Sequence, residues 1–145
     1  MATLTELLSV PAESIEPPKA LPQGSYHAVV DGNFVPVESQ EKRTPGVQFN
    51  FRLLGPMKVH DEKALAEAGG CVGKSVKYAF YVTEDNRYFL KQFLTDHLGI
   101  DPKGKEITEM VAEAPGKEVV IFLKNMLSRG SEPRVIHVVD SFAKL

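Results

Sequence analysis

Val47-Gln48-Phe49-Asn50-Phe51-Arg52-Leu53-Leu54 and Ser75-Val76-Lys77-Tyr78-Ala79-Phe80-Tyr81-Val82 are the two stretches that decide the fold. In the first, Val47, Phe49, Phe51 and Leu53 share one face, and Gln48, Asn50 and Arg52 the other. In the second, Val76, Tyr78, Phe80 and Val82 lie opposite Ser75, Lys77, Ala79 and Tyr81. Successive side chains of a strand point to opposite sides, so a period of two marks a half-buried β-strand. Three further strand candidates surround these two. Residues 25–30 come first, entered through Pro22 and Gly24. Asp31-Gly32-Asn33 interrupts them as a bulge or sharp bend, with a resumption at Phe34-Val35. Residues 118–124, rich in β-branched side chains, and residues 134–140, extending toward Phe142, come last.

A helix is predicted over residues 86–100. Thr83 or Asp85 can cap it, Leu90, Leu94 and Leu98 repeat at four-residue spacing beside Phe89 and Phe93, and Gly99 ends it. A shorter helix over residues 106–114 alternates Glu106, Glu109 and Glu113 with Ile107, Met110 and Val111, the pattern of an amphipathic surface helix. Three strands, a helix and two strands make a mainly β chain on the plan of a five-stranded OB-type Greek-key barrel, its helix between strands 3 and 4. In that plan the loops over residues 38–46 and 125–133 flank the ligand face. Lys42 and Arg43 lie in the first loop and Arg129 in the second, with Lys124 and Arg134 at its edges.

The chain has 145 residues, enough for one domain with a real core. Its formal charge is −2, which argues against a binder of duplex DNA that relies on a large basic face. One of the 17 basic and three of the 19 acidic residues fall in residues 1–20, leaving sixteen of each in the rest. Residues 119–145 carry Lys124, Arg129, Arg134 and Lys144 against Glu132 and Asp140, so a local basic groove remains compatible with a neutral total. Residues 1–20, broken by Pro11, Pro17 and Pro18, read as a flexible arm with room for one helical turn around Leu4, Leu7 and Leu8; the domain proper is expected over residues 21–145. The single cysteine, Cys71, excludes an intrachain disulfide and fits a reducing compartment. With no basic, apolar leader and no apolar run near the roughly 20 residues that cross a bilayer, the expected setting is cytoplasmic.

Ala68-Gly69-Gly70-Cys71-Val72-Gly73-Lys74-Ser75 satisfies a relaxed phosphate-loop pattern. Such a loop needs a strand before it and a helix after it, so that backbone N–H groups converge on phosphate. Here helix-like residues 61–68 precede and a strand follows, so the reading is a turn that leads into a strand. His27, His60, His97 and His137 are scattered, no serine sits in a nucleophile elbow, and neither a metal, a cofactor nor catalysis is expected. The strand faces are more informative. Lys77 and Tyr81 on one strand and Gln48, Asn50 and Arg52 on the other supply a cation, an aromatic ring and amides, on which bases stack and phosphates are neutralised. With Lys42, Arg43, Lys74, Lys124, Arg129 and Arg134 they form the candidate nucleic-acid-binding set.

The chain resembles the small single-stranded-DNA-binding proteins of tailed bacteriophages and prophages. The resemblance is carried by residues 21–30 as the opening strand, Thr44-Pro45-Gly46-Val47-Gln48-Phe49-Asn50-Phe51 as loop and second strand, the helix ending in Leu98-Gly99-Ile100, and Gly116-Lys117-Glu118-Val119-Val120 leading into strand 4. It spans residues 21–142 as a pattern of elements. It implies an OB fold that binds single-stranded DNA largely without sequence preference, in phage replication or recombination, with replication or recombination proteins as partners and the host cytoplasm as location. A phage structural or assembly protein built on a small β-barrel is the alternative. Many proteins of this kind end in an acidic tail that recruits partners. This sequence reads Ser141-Phe142-Ala143-Lys144-Leu145 there, which leaves the acidic residues 1–20 as the expected substitute.

Overall fold

In a computed structural model, which describes residues 3–12 and 19–145, the alternation seen in the sequence becomes two faces of one sheet. Its strands are β1 (Gly24–Val30), β2 (Val35–Glu38), β3 (Pro45–Val59), β4 (Ser75–Tyr81), β5 (Glu118–Leu127) and β6 (Val135–Ala143). All pairings are antiparallel, in the order β2-β3-β1-β5-β6, with β4 on the other edge of β3. The fold is mainly β and follows the OB plan, with two corrections. Among the described residues there are six strands, not five, and the sheet is not closed. The sixth is β2: Gly32, at a φ of 78°, breaks the run after β1, and residues 35–38 turn back on β3 as a hairpin instead of resuming β1.

β3 is the strand around which the rest is organised. One of its edges serves β2 along residues 45–48 and then β1 along residues 51–59, while the other carries β4. Two register shifts against β1, between Ser25 and Tyr26 and between His27 and Ala28, let so long a strand curl around a core. β4 and β6 are the ends of this curl. They run in the same direction with no ladder between them, and rings span the gap. Phe142 of β6 lies 5.2 Å from Tyr78 and 6.0 Å from Phe80 of β4, and 5.4 Å from Phe51 of β3. Aromatic packing therefore closes the side of the barrel where backbone hydrogen bonds do not.

Helix α1 (Leu4–Leu8) has a Thr3–Glu6 capping box and buries none of its residues. Residues 1–2 and 13–18 of the expected arm lie outside the described residues. α2 (Glu62–Glu67), capped by Asp61, precedes the turn into β4. The predicted helix over residues 86–100 is α3 (Arg87–Gln92) followed by a π turn, Phe93–His97. Its start is set by reciprocal bonds between Thr83 and Asn86, not by Asp85. The wider turn buries the consecutive Phe93 and Leu94 together with Leu98. α4 (Ile107–Glu113) packs Met110 and Val111 inward, and Lys105 pairs with Glu113 outside.

Leu21 is fully buried, and its backbone is held by side chains of β5 and β6. Asn125 donates from Nδ2 to the Leu21 carbonyl and accepts the Gln23 N–H at Oδ1; His137 Nδ1 accepts the Leu21 N–H at 3.0 Å. Accepting that bond requires a neutral imidazole. Burial, with Lys74 nearby as a smaller cause, holds the His137 pKa below its ordinary value. An imidazole whose pKa is lower in the folded protein adds stability that is complete above the unfolded value, about 6.5, and is lost as pH falls below it. The expected result is a melting temperature that declines from pH 7 to pH 5 more steeply in the parent than in His137→Asn, which keeps an acceptor but cannot titrate. Parallel curves would show that His137 is not a source of the acid sensitivity.

Candidate nucleic-acid interface

Neither β3 nor β4 contains an aspartate or glutamate. Their outer positions meet in register: Gly46 opposite Tyr81, Gln48 opposite Ala79, Asn50 opposite Lys77 and Arg52 opposite Ser75. Arg52 and Lys77 are exposed, Gln48 and Asn50 half-buried, and Tyr81 is 43% exposed. The opposite register positions, Phe49, Phe51 and Val76, are buried. Asn50 Oδ1 is buried without a hydrogen-bond partner among the described residues, an acceptor left open beside the Lys77 position. Gly46 matters through its neighbour. A Cβ there would come within 3.0 Å of the Tyr81 ring and 2.8 Å of the Phe80 carbonyl, so glycine lets the tyrosine lie against β3.

Basic loops stand at both ends of this face. Lys42 and Arg43 are exposed on the β2–β3 turn, next to the Gly46–Tyr81 end. The turn is compact: Ser39 N–H donates to the Thr44 carbonyl, and Arg43 N–H to the Ser39 carbonyl, with Arg43 in the left-handed region at a φ of 51°. Arg129 and Arg134 are exposed on the β5–β6 loop, which leads through Val135 to His137. A groove of about 710 Å³ follows the open seam there, with Ser75, Lys77 and Tyr81 on the β4 side and His137 and Val138 on the β6 side.

Two members of the sequence-derived set are drawn away from this face. The Lys74 ammonium is half-buried and donates to the Ala68 carbonyl, holding the turn before β4 closed. The N–H groups of Gly70, Gly73 and Lys74 are likewise taken up by the carbonyls of Leu65, Leu53 and Cys71, so the phosphate-loop lookalike is a turn whose donors face protein. Lys124 lies on β5, separated from β3 by β1, and pairs with Asp140 at 3.3 Å. Tyr26 and Cys71 are buried, which pushes the phenol up to about 12 and raises the thiol, so neither is poised for chemistry at neutral pH. Among the described residues no group of three His, Cys, Asp or Glu side chains could hold a metal ion, and no helix is long and apolar enough to cross a membrane.

The fold has a distant likeness among solved structures. It is similar to yeast RPA bound to ssDNA, at 10% sequence identity and a TM-score of 0.33, covering 92% of this chain and 83% of that chain. No protein-family model matches the sequence, and no curated protein does. One fold hosts many functions, so function is read from the side chains.

The structure adds two aromatics that the helix reading kept with the leucine stripe or passed over. Phe89 is 62% exposed and Tyr88 is 60% exposed, at the start of α3 beside the Tyr81 end of the face. Leu90, Phe93, Leu94 and Leu98 of that stripe are buried, and Phe89 is not. Phe89 precedes Leu90 by one residue, about 100° around the helix; Phe93 has the same offset from Leu94 and is buried where the π turn begins, so the offset in the sequence does not separate them.

Proposed function

We propose that this protein binds single-stranded DNA along the outer face of β3 and β4, largely without sequence preference. One observation carries the reading: two adjacent strands free of acidic residues present Arg52, Lys77 and Tyr81 on a single outer face. A single strand offers phosphates to cations and unpaired bases to aromatic faces, and a duplex withholds its bases. Lys42 and Arg43 at one end and Arg129 and Arg134 at the other would track the backbone beyond the strands. The resemblance to small phage proteins makes replication or recombination intermediates in a host cytoplasm the setting, and a non-enzymatic coating role the activity.

Phosphate contacts release counterions, so affinity must fall with salt. If four to six phosphates are neutralised, a log–log plot of affinity against salt is expected to have a slope of about −3 to −4, at roughly −0.7 per phosphate. Fluorescence anisotropy with a labelled oligonucleotide reads this directly, and a duplex of equal length should bind much more weakly. Equal affinity for duplex, or no binding at low salt, would favour the structural or assembly reading.

A further inference from the structure

We infer that the cavity between the end of β4, the start of α3 and β6 is a pocket for one unstacked nucleobase of the bound strand. This rests on the proposed single-strand binding and deepens it. The cavity holds about 380 Å³ and is lined by Tyr81, Asn86, Phe89, Gln92, Ser141 and Phe142, among others. It shares Tyr78, Ala79 and Tyr81 with the groove along the seam, so a strand following that groove reaches it without leaving the surface. Tyr81 and Phe89 are both well exposed and both line it, yet they make no ring contact with each other among the described residues. Two exposed aromatic rings that line one cavity offer it surfaces on which a base can stack.

The polar lining suits a base and not a phosphate. Asn86 uses Oδ1 to accept the Thr83 N–H, which leaves its Nδ2 donor; Gln92 and Ser141 carry both donor and acceptor groups. The lining includes no Lys or Arg, and Asp140, which also lines the cavity, is paired with Lys124, so nothing in the cavity calls for a phosphate. Arg87 and Lys91, exposed on α3, are cations for the phosphates on either side of the seated base. Amides can pair with the edges of any base, so the pocket positions a nucleotide without demanding a sequence.

The test uses the full chain and an oligothymidylate carrying one 2-aminopurine at successive positions. In the parent, one position is expected to be strongly quenched by stacking. Phe89→Ala and Phe89→Leu should abolish that quenching and weaken binding by about 5- to 150-fold, the range for loss of one base–aromatic stack. Val72→Ala, an exposed apolar side chain outside the cavity lining, should change neither. Phe89 is mostly exposed, so both its variants should melt with the parent. Parent-like affinity and quenching in Phe89→Ala would overturn the pocket and leave single-strand binding standing. Absence of any binding by the parent would overturn both.

Discussion

Phe142→Ala is expected to destabilise the protein by about 3 kcal/mol, the lower end for deleting a packed aromatic ring. For a domain of this size that is a fall of roughly 10 °C in melting temperature. The size follows from what the ring does. β4 and β6 exchange no backbone ladder, and Phe142 of β6 contacts rings of β3, β4 and the π turn, with Phe93 at 4.7 Å. Removing it leaves a void at the one side of the barrel that hydrogen bonds do not hold. Phe142→Leu should recover part of the loss, because apolar volume returns while the ring–ring terms, about 0.5–1.5 kcal/mol each, do not. Phe122, on the neighbouring strand and 38% exposed, provides the contrast: Phe122→Ala should cost about 1 kcal/mol or less. Thermal melts of the three variants decide the matter. A melting temperature within about 2 °C of the parent for Phe142→Ala would show that something other than ring packing closes the seam.

Tyr81→Ala should weaken single-strand binding by about 5- to 150-fold and leave the melting temperature close to the parent's. Tyr81 points away from the core on the same face as Lys77 and Arg52, and its ring lies against Gly46. The loss is therefore of a stacking surface and not of packing. Lys77→Ala should act differently, reducing the salt slope by roughly 0.7 while costing less at high salt. Phe80→Ala is the control on the same strand. Its ring contacts Phe49, Tyr78 and Phe93, so it should lower stability by about 3 kcal/mol, and any loss of binding should follow unfolding. Anisotropy and melting curves on the same samples separate the two effects. Binding unchanged in Tyr81→Ala would remove the outer face of β4 from the interface.

The sequence by itself determined the register of β3 and β4. Alternation is a local property of the chain, and a slip of one residue would have turned Phe49, Phe51 and Phe80 to water and Lys77 to the core. It also determined the helix–turn–strand context that separates the Gly73-Lys74-Ser75 turn from a phosphate loop, because that test needs only the order of elements. Tertiary structure alone decided three other things. β2 exists because β3 is long enough to offer residues 45–48 as a template after β1 has taken the rest of that edge, and no pattern within Val35-Pro36-Val37-Glu38 announces it. Lys74 and Lys124 look like free cations in the sequence, yet each meets an oxygen, of Ala68 and of Asp140, and for Asp140 only folding brings it near. The open seam, with Phe142 stitched across it and Tyr81 and Phe89 left at one end, depends on how far the sheet curls. That is set by bulges and by long-range ring packing between residues about sixty apart in the chain, for which no local pattern in the sequence stands.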